Sequence, residues 1–196
     1  METTRLSRAV MSAAAAATLS VTLGVMGPQA VANTKHSTAD PFGPACASVP
    51  KTGAGSLAGM AKEPVATTAS NNPDLSTLAA ALQKAGLVDT LNHSKSITVF
   101  APSDEAFAKI PKADLDRLFA DKARLTKVLT YHVVSEKITK KHLANGAFKT
   151  LEGAILTTAG FGRNFSVNAT AVIVCGGVPT ANATVNIIDT VLTPPD

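Results

Sequence analysis

Tryptophan is absent from this chain of 196 residues, tyrosine occurs once, at Tyr131, and the aromatics together reach only 4%. Flat side chains that stack on unpaired bases or sugar rings are therefore scarce, which argues against both ligand classes. Charge is sparse as well, at 16% of residues with a net of +4. So mild an excess of base, spread along the whole chain, does not make nucleic acid a partner. The catalytic templates are missing too: no GxSxG elbow, no HExxH pair and no GxxxxGK[ST] loop occurs. Neither cysteine belongs to a CxxC pair. The chain is therefore expected to be no enzyme and to need no cofactor and no metal. What remains is a composition 45% hydrophobic, enough for one domain around one core.

The amino terminus has the order of a secretory signal. Arg5 and Arg8 precede an apolar stretch from Ala9 to Val25, followed by Gly27-Pro28 and the small-residue run Ala30-Val31-Ala32. That order predicts a signal peptide over residues 1–32 with cleavage after Ala32. The alternative, a membrane anchor, is disfavoured by an Ala-rich core shorter than the roughly 20 residues that cross a bilayer. Cys46 lies well beyond the cleavage point, which argues against a lipid anchor. No run of 18 apolar residues follows, so the product is expected to be secreted, extracellular and not membrane-spanning. Outside the cytosol, Cys46 and Cys175 are expected to form a disulfide; the rival is a reactive or metal-binding thiol.

Residues 33–59 are rich in Pro, Gly, Ala, Ser and Thr without apolar periodicity, and read as an extended leader anchored near Cys46. Residues 60–196 read as the domain. Asn72-Pro73-Asp74 opens a helix carrying Leu75, Leu78, Ala79 and Leu82 and closed by Gly86. Leu87, Val88 and Leu91 predict a second. Ile97 to Phe100 reads as a buried strand, and Ser103-Asp104-Glu105 as a helix start. Two helical pieces follow, split near Asp121, and Tyr131-His132-Val133-Val134 returns to strand chemistry. From Phe148 onward Thr, Val, Ile, Gly and Asn alternate, predicting strands at 148–151, 154–158, 165–167, 171–174 and 185–191. Helices first and strands afterwards imply an α+β domain with antiparallel pairing.

Candidate site residues are few. His132 and His142, with Glu136 between them, could meet at a metal, though hydrogen-bonding roles suit a strand and a loop histidine better. Asp104 and Glu105 are read as helix-capping acids. Lys137, Lys140, Lys141 and His142 form the one local cationic cluster, a contact for an anionic polymer or a solvated loop. Sequons occur at Asn92, Asn164, Asn168 and Asn182, of which the last two also fit strand turns.

Thr98-Val99-Phe100-Ala101-Pro102-Ser103-Asp104-Glu105-Ala106-Phe107, the central Tyr131-His132 and the closing Val185-Asn186-Ile187-Ile188-Asp189-Thr190-Val191-Leu192 resemble a fasciclin domain across roughly Met60 to Pro195. Pro64-Val65-Ala66, Asn71-Asn72-Pro73 and the stretch from Cys175 to Thr184 resemble secreted bacterial members of that family, both cysteines included. The resemblance implies a wedge of two mostly antiparallel β-sheets with several short helices packed against it, and a monomeric cell-adhesion module for a protein, cell-surface or extracellular-matrix partner. Tyr131 and His132 join the lysine cluster as candidate interaction or structural residues. Gly177 and Val178 stand where animal members carry an Asp and a branched aliphatic residue linked to integrins, so that mechanism is not carried over. Asn186 stands where many members have His. Two other readings stay open: a carrier or enzyme for a small apolar or glycan ligand held in a cleft near Tyr131 or His132, and an abundant secreted structural protein with no specific partner.

Overall fold

The computed structural model describes residues 41–195; the expected signal segment, its cleavage point and residues 33–40 lie outside the described residues. A 3-10 turn at Pro44–Ala47 precedes helices α1 (Leu57–Met60) and α2 (Val65–Asn71). Asn72 then caps a second such turn, its side chain accepting from the Asp74 N–H at 2.9 Å, and leads into α3 (Ser76–Ala85). Leu78, Ala79 and Leu82 bury one face of α3. Gly86, left-handed at φ 75°, ends it, the Leu87 N–H reaching back to the Leu82 carbonyl at 3.0 Å. Helix α4 (Val88–His93) follows, then strand β1 (Ile97–Pro102). Helices α5 (Asp104–Ala108), α6 (Lys112–Ala120) and α7 (Lys122–Tyr131) lead to β2 (Val133–Val134). The remaining strands are β3 (Asn145–Lys149), β4 (Ile155–Phe161), β5 (Asn164–Val167), β6 (Ala171–Pro179) and β7 (Ala183–Ile188).

The strands form one sheet in the order β2-β1-β7-β6-β5-β4-β3. β1 and β7 run parallel and every other pair is antiparallel, so the expected antiparallel sheet is a mixed one. An isolated bridge from Val134 to Thr150, with the Leu151 N–H donating to the Val133 carbonyl at 2.7 Å, brings the two ends of the order together. The seven strands are thus one nearly closed sheet rather than two.

Two cores follow from that closure. Phe100, Val134, Phe148, Leu156, Phe165, Val167, Ile173 and Ile188 bring side chains from all seven strands into one enclosed cluster. The opposite faces of β1, β2, β6 and β7 carry Ile97, Val99, Ala101, Val133, Cys175, Val178, Val185 and Ile187 against the helices. β1 is buried along its whole length because its alternating side chains serve both clusters.

Several expected boundaries move. Within the leader expected over 33–59, Phe42 and Val49 are buried on either side of Cys46 and Phe42 exchanges backbone hydrogen bonds with Gly176 at 2.9 and 2.7 Å, while Lys51 to Ala54 are exposed. A Cβ on Gly176 would sit 2.4 Å from the Phe42 ring, so only glycine admits that approach. Cys46 and Cys175 are joined by a disulfide across 129 residues. β3 begins at Asn145, where its exposed and half-buried residues gain strand structure by pairing with β4 rather than from apolarity of their own. β7 ends at Ile188 because Asp189 turns its carboxylate onto the Val172 N–H at 2.8 Å.

Candidate interaction surface

Asp121 accepts from the Arg124 N–H at 3.0 Å and starts α7, whose Leu125, Val128 and Leu129 face the helical core. Tyr131 is the last residue of that helix and His132 its C-cap, so the strand expected to begin at Tyr131 is only Val133–Val134. Both side chains are 2% exposed, one at the end of the helix and the other on its cap.

The Tyr131 ring enters the enclosed core, where its hydroxyl donates to the Ile155 carbonyl at 3.2 Å and accepts from Asn168 Nδ2 at 2.7 Å. Asn168, left-handed at φ 51°, uses its Oδ1 to accept the Thr157 N–H at 2.9 Å. One phenol thus fastens α7 to β4 and to the β5–β6 turn.

His132 sits in a different network. Its Nδ1 faces the Val128 carbonyl at 2.7 Å, and its Nε2 accepts the Leu192 N–H at 2.9 Å. A carbonyl can only accept and an N–H can only donate, so the proton belongs on Nδ1 and the ring is neutral. Complete burial pushes its pKa from 6.5 down to about 4, against the smaller opposing pull of the Val128 carbonyl. The ring is a clamp between α7 and the segment after β7. Tyr131 and His132 are both buried, and neither lines the clefts described below.

The lysine cluster is divided by Ile138, which is 3% exposed and whose N–H donates to Thr98 Oγ1 at 2.8 Å. Lys137 lines a cleft of about 530 Å³ with Asn92, Lys95, Ser96 and Asn182. Lys140 and Lys141 line a separate open groove of about 780 Å³ beside Phe161 and Phe165, Lys140 placing its ammonium 5.1 Å from the Phe42 ring centre. His142 is exposed and its Nδ1 takes the Thr139 N–H at 3.4 Å. His132 lies buried on its helix cap, apart from His142, so the imidazole pair weighed above is not brought together. Among the described residues, no group of three or more His, Cys, Asp or Glu is arranged to hold a metal ion.

Asp104 and Glu105 both lie in the first turn of α5. Ser103 caps α5, its hydroxyl accepting from the Ala106 N–H at 3.2 Å. The Asp104 carboxylate instead reaches the start of α3, accepting from Ser76 Oγ at 2.6 Å and the Thr77 N–H at 2.8 Å. Partial burial alone would raise its pKa, and these hydrogen bonds outweigh that and hold it below the usual carboxylate value.

A residue that sequence reasoning treated only as a sequon or turn proves central. Asn182 Oδ1 accepts the Val65 N–H at 2.9 Å, while its Nδ2 donates to the carbonyls of Leu91 at 2.7 Å, Ser94 at 2.8 Å and Asn92 at 3.2 Å. The turn before β7 is thereby tied to α2 and α4. A glycan on Nδ2 would have to displace these hydrogen bonds.

Comparison with known proteins agrees with this architecture. The family model described as Fasciclin domain matches residues 73–194. Cell surface glycolipoprotein MPB83 of Mycobacterium bovis is 52% identical over 149 residues, which are 74% of this chain and 66% of that protein. Immunogenic protein MPT70 of Mycobacterium tuberculosis is 47% identical over 164 residues, covering 80% of this chain and 83% of its own. Among solved structures, the FAS1 domain pair from the insect cell adhesion molecule fasciclin I superposes with a TM-score of 0.57 at 17% identity, over 69% of this chain and 52% of that one, a likeness of fold. The chain belongs to the fasciclin domain family. Its similarity is to the mycobacterial cell-surface and immunogenic members.

Proposed function

We infer that this is a secreted bacterial fasciclin-domain protein that serves as an adhesion or interaction module at a cell surface or in extracellular matrix, is immunogenic like its relatives and catalyses nothing. The observation that carries the reading is the division of the candidate residues. Tyr131 and His132 are consumed by the core, and the cations from Lys137 to His142 are left on the surface. No helix among the described residues is long and apolar enough to cross a membrane. Both cysteines of the chain are spent on the disulfide, so neither is free to carry a lipid. The contact is assigned to the Lys137–His142 segment, and replacing Lys137, Lys140 and Lys141 with Gln is expected to weaken saturable binding to host cells or matrix while leaving the thermal midpoint unchanged. Saturable binding that survives these replacements would place the contact elsewhere, and no saturable binding anywhere would leave a structural protein without a specific partner.

A further inference from the structure

Phe161 closes β4 at the tip of the β4–β5 hairpin and is 83% exposed, far more than Leu151, Ile155 or Val172. Nothing in the core explains an aromatic ring held in water. The tip is shaped to hold it there. Phe161 pairs with Asn164 across a Gly162-Arg163 turn, Gly162 is left-handed at φ 63°, and a Cβ on Gly160 would come within 2.2 Å of the Asn164 carbonyl oxygen. The open groove beside the ring is floored by Phe165 and rimmed by Lys140 and Lys141, and no carboxylate lines it. Arg163 is exposed in the turn itself. Among the described residues, none of these three cations is salt-bridged to an acid.

A protein partner would need a contiguous apolar patch to form the dry centre of an interface, and this tip offers one ring. A bilayer surface asks for less: an apolar side chain at the boundary between headgroups and acyl chains, with cations against the phosphates. We propose that the β4–β5 hairpin tip is a peripheral docking site for membranes containing anionic lipid, Phe161 entering the interface while Lys140, Lys141 and Arg163 meet the headgroups. This goes beyond the adhesion reading: Lys140 and Lys141 are shared with it, whereas Phe161 and Arg163 have no part in it, so the readout at position 161 tests this site alone.

The absence of tryptophan makes the test direct, because Phe161→Trp gives the full chain a single indole at the tip. Vesicles of phosphatidylcholine containing phosphatidylglycerol are expected to shift its emission to the blue, and brominated lipid to quench it; vesicles of phosphatidylcholine alone are expected to do neither. Adding Lys140→Gln, Lys141→Gln and Arg163→Gln is expected to lower partitioning at low salt by about fivefold per cation. Ile155→Trp, at the other end of β4, is the control and is expected to keep its emission in buffer, which separates insertion of the tip from binding through the apolar segment Ala9 to Val25. No shift at position 161, the same shift at 155 and 161, the same response to neutral vesicles, or a shift produced by an acidic protein and not by vesicles would each overturn the proposal. Failure here leaves partner binding on cells and matrix proteins standing, since that is read separately.

Discussion

His132 holds its neutral form through one bond as donor and one as acceptor, so protonation costs it the Leu192 N–H. Its folded pKa, about 4, lies below the ordinary 6.5, so the unfolded chain takes up the proton first as pH falls. The resulting stability is complete above pH 6.5, declines through the interval down to about 4 and is constant below it, amounting to about 3 kcal/mol. Urea midpoints measured from pH 7 to 4 should trace that decline. His132→Ala should flatten it and cost about 2–4 kcal/mol at pH 7, by opening a cavity and orphaning two buried backbone groups. Asp104 and Asp189, both held below the usual carboxylate value, add stability that is lost only at lower pH, as each protonates through its folded pKa. Thr158 gives the opposite expectation. Its hydroxyl is buried without a partner, so Thr158→Val should be neutral or stabilise by up to about 1 kcal/mol in a thermal melt. A loss of stability there would mean that the hydroxyl is satisfied. At Asn182, replacement by Ala removes hydrogen bonds to α2 and α4 together, and a loss of about 2–3 kcal/mol is expected.

Among the elements, those with strong local signals were legible. The Asn72 cap, the Leu78 to Leu82 spacing, the Gly86 stop, the Ser103 cap and the apolar run of β1 all lie where the residues place them. The end of α7 was not, because Val133 and Val134 lend strand character to the two residues before them. The spacing nonetheless held the answer: Tyr131 and His132 lie three and four residues beyond Val128, and the His132 ring bonds that carbonyl. α2 was hidden by its Ala and Thr content, which buries Val65, Ala66, Thr68 and Ala69 without a conspicuous apolar stripe. No local signal could reveal the role of Asn182, whose partners lie 88 or more residues away in sequence. The lysine cluster was visible as charge. Its division into two surfaces depends on burial of Ile138 under Thr98, a tertiary fact.

For the molecule as a whole, near-closure of the sheet and the disulfide act together. Cys46 lies just past Phe42, which bridges β6 at Gly176, so the bond locks the start of the described chain onto the sheet. Loop entropy for so long a span sets an upper figure of about 5 kcal/mol, and Cys46→Ser with Cys175→Ser should lose most of it in denaturant melts, as should reduction of the wild type. Both thiols should resist alkylation before reduction, since Cys175 is fully buried and both sulfurs are paired. The fold class and family were legible because they rest on runs of apolar and turn residues spread through the chain. The near-closure of the single sheet was not, because the Val134–Thr150 contact has no counterpart in local sequence. Under the proposed function, the molecule presents a specific contact surface to its partner. The most direct test is the binding isotherm of the labelled protein on host cells, bacterial envelope and purified matrix proteins at low and high salt, beside the variant with Lys137, Lys140 and Lys141 replaced by Gln. Saturation that persists at high salt and weakens in the variant is the expected result; binding that never saturates, or that vanishes with salt, would contradict it.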